Sequence, residues 1–141
     1  NSTGMINGAS GWLTDAQTES HAAGYENKFG KDFNDDGLVS GGSAYQLFGS
    51  SGIYTLRQRS GRTYSDDSNA LWDITAAKET GSGFDVLLEG SAGKDGYNYI
   101  WSTNSTGMIN GASGWLTDAQ TTSNGYESIF NLDINNNGII D

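Results

Sequence analysis

The chain has 141 residues, 35% of them hydrophobic, and a formal net charge of −10. That charge argues against nucleic acid and anionic membrane as partners, because both are bound through Lys/Arg footprints. With no Cys and a single His, there is almost no material for disulfides, thiolate metal sites, zinc cages or His-based catalytic pairs.

No apolar run is long enough to span a bilayer, so membrane insertion is not expected, and no charged-then-apolar signal segment is present. The first residue is Asn rather than Met, which reads as a piece of a longer protein. Large rings (4 Trp, 7 Tyr and 5 Phe) supply apolar area for a core. Proline is absent and there are 21 glycines. Turns therefore fall to Gly with Asn, Asp and Ser, which favours short strands joined by tight turns.

The chain repeats itself. "NSTGMINGASGWLTDAQT" runs from Asn1 to Thr18 and recurs unchanged from Asn104 to Thr121. The copies then diverge but keep a pattern, "GYENKFGKDFNDDG" (Gly24–Gly37) against "GYESIFNLDINNNG" (Gly125–Gly138). A period of about 100 residues is too long for a solenoid unit and suits a string of small domains. Residues 1–43 read as the C-terminal half of a preceding repeat, and 44–141 as a nearly complete repeat.

In chain order, Tyr25 and Phe29 have helical spacing just ahead of an acidic loop. "AYQLFG" (Ala44–Gly49) and "IYTLRQR" (Ile53–Arg59) flank a Ser-Ser-Gly turn, as in a hairpin. "LWDITAAKE" (Leu71–Glu79) places Trp72, Ile74 and Ala76 on one strand face. "TGSG" turns into a strand in which Phe84, Val86 and Leu88 alternate with Asp85, Leu87 and Glu89. Tyr97, Tyr99 and Trp101 then share one face, with Asn98, Ile100 and Ser102 on the other. "GMINGASGWLT" continues the sheet, broken by an Asn-Gly turn. "DAQTTSNGYESIFNL" (Asp118–Leu132) reads as one helix, with Tyr126, Ile129 and Phe130 at i, i+3 and i+4 spacing. The expected fold is mainly β (α+β): an antiparallel meander sheet with one short helix and an EF-hand-like acidic loop per repeat.

The acidic loops carry the chemistry. Ca²⁺ takes six to eight oxygens, and a short loop supplies them from side chains at positions 1, 3 and 5, a turn-forming Gly at 6 and a carbonyl at 7. In the first loop these are Asp32, Asn34, Asp36, Gly37 and the Leu38 carbonyl, with Ser40 at position 9. In the second they are Asp133, Asn135, Asn137, Gly138 and the Ile139 carbonyl, with Asp141 at position 9. The bidentate Glu of an EF-hand, at position 12, is replaced by Ser43 in the first loop. Glu26 and Glu127 stand ahead of the two loops, from where each could swing back over the ion. The competing reading is an Asx-rich turn with no ion. The second loop has fewer carboxylates and is expected to bind more weakly, and alternating flexible oxygens suit Ca²⁺ better than Mg²⁺.

"SNALWDITAAKETGSGFDVLLEG … YNYIWSTNSTG … GYESIFNLDINNNG" resembles the bacterial tryptophan-rich repeat, the tryptophan-rich Synechocystis-type C-terminal domain. Trp72, Gly83-Phe84-Asp85-Val86, Tyr99-Ile100-Trp101 and Glu127 through Gly138 stand at that family's motif positions, and Glu26 through Gly37 match its last element again. Asn137 replaces the family's second loop Asp, and "LLEG" lacks its usual Lys. The resemblance implies a module of large secreted or cell-surface proteins, often in tandem and beside calcium-binding repeats or enzymes. The function expected is a non-enzymatic, calcium-stabilised structural or adhesive module, extracellular, with neighbouring repeats of the same chain as partners. A cell-surface glycan or protein is the candidate outside partner. Two alternatives are a glycan-binding module using surface aromatics and a C-terminal secretion or attachment domain of a larger extracellular enzyme.

Other residues read more plainly. Asp66-Asp67 with Asp73 fit a solvated loop better than an acid–base pair. His21 fits the surface. Arg57, Arg59 and Arg62 balance the acidic surface or face a neighbouring acidic domain. No G-x-S-x-G elbow supports a nucleophile. The sequons at Asn1 and Asn104 lie in turn-like segments. Trp12 and Trp115 fit the core, with sugar stacking as the alternative if they are exposed.

Overall fold

The computed structural model describes Trp12 and residues 29–39, 44–65 and 68–141. Strands β1 (Leu38–Val39), β2 (Gln46–Gly49) and β3 (Gly52–Thr55) form a three-stranded sheet in that order. Strands β4 (Trp72–Glu79), β5 (Gly83–Gly90), β6 (Tyr97–Asn104) and β7 (Ile109–Thr117) form a four-stranded meander. Among the described residues the named strands all pair antiparallel, and Arg57 forms an isolated parallel bridge with Met108. Helices α1 (Asp118–Ser123) and α2 (Tyr126–Phe130) come last, and the protein is mainly β.

Alternation along β5 explains the layers. Phe84, Val86 and Leu88 face Leu38, Tyr45, Leu47 and Leu56, making a core between the two sheets. Leu87 points the other way and packs with Ala76, Ile100 and Ile134 beneath Leu116, Tyr126 and Phe130. The meander is thus the middle layer, buried on both faces at β5. Each fully buried Leu or Val contributes about 1.5–3 kcal/mol. The repeat boundary the sequence suggests, just before Ala44, falls in chain order between β1 and β2, which pair with each other.

Three local expectations are corrected. Trp72, Ile74 and Ala76 do not share a face: the register shifts between Ile74↔Leu88 and Ala76↔Leu87, leaving Thr75 as an extra residue. A single extra residue inverts the alternation, so Ala76 enters the helix-side core while Ala77 joins Ile74 between the sheets. Asn110-Gly111 is not a turn either. Strand β7 runs straight through it and absorbs register shifts opposite Ser102/Thr103 and Tyr99/Trp101, because β6 offers a full edge to pair with. The turn lies earlier, where Asn104 Oδ1 accepts the N–H groups of Thr106 and Met108, both at 3.0 Å, so this sequon side chain organises the β6–β7 connection.

The third correction is the helix, which comes as two pieces. Thr117 starts α1 with a capping box: its hydroxyl accepts Gln120 N–H at 3.2 Å while Gln120 Oε1 accepts Thr117 N–H at 2.9 Å. Gly125, with φ of 80°, interrupts the helix before α2, and α2 ends at Asn131, also left-handed.

At the β7 edge of the meander, opposite the β4 edge that meets the first acidic loop, Arg57 fastens the three-stranded sheet to the meander. Its N–H donates to Gly107 at 3.0 Å, its carbonyl accepts from Ile109 at 2.8 Å, and its guanidinium donates to the Thr106 carbonyl and hydroxyl. This Arg, expected to balance the acidic surface or face a neighbouring acidic domain, is half-buried and ties the two sheets. Arg62 lies over Tyr64, 5.5 Å from the ring centroid.

Candidate cation-binding loops and an aromatic groove

The two acidic loops adopt one conformation. Position 4 is left-handed in both (Asp35 φ 59°, Asn136 φ 57°), as is the Gly at position 6 (Gly37 φ 83°, Gly138 φ 86°). The first Asp accepts the Gly N–H in each: Gly37 to Asp32 Oδ2 at 2.8 Å, Gly138 to Asp133 Oδ2 at 2.7 Å. Position 7 donates to the position 5 side chain in each: Leu38 to Asp36 Oδ1 and Ile139 to Asn137 Oδ1, both at 2.8 Å. Position 5 donates to position 3: Asp36 to Asn34 Oδ1 at 3.3 Å and Asn137 to Asn135 Oδ1 at 2.9 Å. Short Asx side chains folding back on their own backbone account for this shape.

The loops differ at the first carboxylate. Asp133 satisfies both oxygens, its Oδ1 accepting Asn137 N–H at 3.0 Å. Asp32 is only 8% exposed, yet its Oδ1 is buried with no hydrogen-bond partner. Burial is the largest influence on Asp32 and pushes its pKa up, while the backbone of Gly37, Asp35 and Asp36 favours the charged form. Asn34 Nδ2 also donates to Asp36 Oδ2 at 3.0 Å, which draws the oxygens of positions 1, 3 and 5 around the Gly37 turn.

Beyond the glycine the loops differ again. Leu38 and Val39 are buried as β1, whereas the matching Ile139 and Ile140 are exposed. A Cβ added to Gly37 would meet the Ala77 carbonyl oxygen at 1.8 Å, while one on Gly138 meets nothing within 4 Å.

Glu127 is fully buried, and its carboxylate grips the second loop from inside. Oε1 accepts Ile134 and Asn135 N–H at 2.9 Å and the Thr122 hydroxyl at 3.0 Å; Oε2 accepts Asp141 N–H at 3.0 Å. Burial alone would raise its pKa, but the donors from Asn135, Asp141, Thr122 and Ile134 outweigh it and the pKa is lowered. Asn135 Nδ2 donates to the same Thr122 hydroxyl at 3.0 Å, and Asn137 Nδ2 reaches Asp141 Oδ2 at 3.3 Å. Glu26, Ser40, His21 and Asp66-Asp67 lie outside the described residues. Among the described residues no three His, Cys, Asp or Glu side chains form a ready metal cluster. The first loop offers a mixed set instead: carboxylates, an amide and the Leu38 carbonyl, the oxygen types a hard cation takes.

Two further sites escape a linear reading, because the sheet assembles them from distant segments. Trp72, Leu88, Tyr99, Trp101 and Trp115 line an apolar groove of about 210 Å³. Trp72 meets Trp101 edge-on at 5.4 Å, and Tyr99 meets Trp115 at 5.2 Å. Lys94 Nζ lies 5.1 Å from the Trp115 ring centroid. Trp115, expected in the core, is therefore half-buried on this groove, and Trp12 is fully exposed. The second site is a polar cleft of about 140 Å³ that gathers Glu89, Asp95 and Asp118. Desolvation, then the like charges of Asp118 and Asp73, push the Glu89 pKa up. Asp73 accepts the Tyr45 hydroxyl at 2.9 Å, which makes it a tie between the sheets.

No protein-family model, curated protein or solved structure matches the chain.

Proposed function

We propose that the protein is a calcium-binding, calcium-stabilised repeat module without enzymatic activity, a structural or adhesive segment of a large secreted or cell-surface protein. The observation that carries the reading is Asp32 Oδ1, a buried carboxylate oxygen with no hydrogen-bond partner in a loop of alternating oxygen donors. A charged oxygen in that position is costly unless it is paired, and a hard cation pairs it. The second loop satisfies its own first carboxylate, so it needs an ion less. The extracellular setting rests on the resemblance to the tryptophan-rich repeat, and millimolar calcium there would fill even a weak site, with Kd of about 10⁻⁴–10⁻³ M.

Isothermal titration with Ca²⁺ and thermal melts in calcium and in EGTA test the reading. Binding heat and a Tm higher in calcium by several degrees are expected, following RT ln(1 + [L]/Kd). No heat and no shift would reject it.

The aromatic groove favours a second reading, a glycan-binding module. Half-buried Trp and Tyr rings beside a Lys form an apolar platform with a polar edge, suited to the face and hydroxyls of a sugar ring. A glycan array with the wild-type chain and Trp115→Ala separates the two: retention lost in the variant supports the groove, and no retention by wild type removes it.

A further inference from the structure

We infer that a cation in the Asp32 loop is a latch between the two sheets, so that calcium level controls whether β1–β3 stay docked on the meander. This rests on the proposed calcium site and concerns what that site regulates.

The loop exit is bonded to both layers within three residues. Ala77 N–H, on β4, donates to the Asp36 carbonyl at 2.7 Å. Phe48 N–H, on β2, donates to the Gly37 carbonyl at 2.9 Å. Leu38 and Val39 then pair with Leu47 and Gln46, and Leu38 enters the core between the sheets. A strand of two residues has little stability of its own, so its position depends on the loop that delivers it. The loop is closed by Asp32 and Asp36, the same carboxylates that would hold the ion. Asp32, Asp35 and Asp36 crowd like charges into one short turn, and a divalent cation bound there offsets their repulsion.

The second copy provides the contrast. Its loop has the same backbone, yet Ile139 and Ile140 are exposed and a Cβ added to Gly138 would meet nothing within 4 Å. The latch is thus a property of the first loop's setting against Ala77 and Phe48 rather than of the loop shape. The Arg57 tie, just after β3, fastens the opposite edge of the three-stranded sheet to the start of β7, so opening at the loop leaves that edge attached and the meander and helices intact.

Hydrogen exchange followed by mass spectrometry, in saturating Ca²⁺ and in EGTA, tests this on the unaltered chain, with calorimetric titration of Ca²⁺ alongside. Peptides covering residues 44–56 are expected to exchange at least about tenfold slower in calcium, with peptides over 83–104 unchanged. Calcium binding with protection confined to 32–39, or equal in both sheets, would overturn the latch and leave the calcium site standing. No binding heat would overturn both.

Discussion

Gly37 lies against Ala77 so closely that a Cβ there would come within 1.8 Å of the Ala77 carbonyl oxygen, while Ala77 N–H bonds the neighbouring Asp36 carbonyl. Glycine is required at this point twice over, once for its φ of 83° and once for the approach of β4. Gly138 has only the first requirement. Gly138→Ala should therefore cost about 1–2 kcal/mol, and Gly37→Ala more than about 3 kcal/mol. Urea unfolding of both variants checks the order; equal losses would show that the close approach contributes nothing.

Asp32→Asn should separate the charge from the shape of the loop. In EGTA at neutral pH the variant is expected to be at least as stable as the wild type, since it removes a buried charged oxygen without a partner. In calcium only the wild type should gain Tm. The pH dependence carries a definite sign. Because the folded-state pKa is raised above 3.8, wild type without cation loses stability as pH climbs from 3.8 through that raised value, and the variant does not. Equal calcium responses in the two proteins would count against Asp32 as a ligand.

Glu127→Gln keeps the size of the side chain but places an amide NH₂ among N–H donors. Thermal melts should show a Tm lower by roughly 5 °C. Its folded-state pKa is lowered, so the stability it lends is complete above the ordinary value of 4.5 and is lost as pH falls through the folded-state value. The gap between wild type and variant should accordingly stay constant above pH 4.5 and shrink below it. A gap independent of pH would mean that the carboxylate charge is not what holds Ile134, Asn135 and Asp141.

Arg57→Ala should loosen the edge of the sandwich opposite the first loop, where the chain after β3 meets β7. The guanidinium bonds to Thr106 are exposed, so the expected loss is only about 0.5–1 kcal/mol. Denaturant midpoints measure it, and Arg57→Lys should restore only part, since Lys cannot reproduce the fork that meets both Thr106 oxygens. Full rescue by Lys would point to charge alone.

Much of the site was legible in residue spacing. Oxygen-bearing side chains at Asp32, Asn34 and Asp36 before Gly37 dictate a loop closed by its own Asx side chains, and Asp133, Asn135 and Asn137 close the same way. What that spacing lacks is any sign that Asp133 would satisfy both oxygens while Asp32 leaves one bare. The role of Glu127 was equally hidden: a Glu ahead of a loop reads as a ligand, and only the packing of α2 against Ile134 turns its carboxylate onto the loop backbone. The groove of Trp72, Leu88, Tyr99, Trp101 and Trp115 draws on all four strands of the meander, and no single window contains it.

The sequence by itself determined strands β2 to β6, the meander order that β7 completes and the backbone of both loops. These arise from period-two alternation, Gly-punctuated turns and Asx hydrogen bonds that span five residues or fewer. Only the tertiary structure decided where alternation breaks, as at Thr75 and along β7, because a bulge forms where the neighbouring strand and core demand an inverted side chain. It also decided the fate of two similar apolar pairs. Leu38-Val39 is buried because β2 and β4 are there to receive it, and Ile139-Ile140 is exposed because, among the described residues, nothing is. Burial belongs to the surroundings of a residue, and hydrophobic free energy is realised only against a surface that covers it.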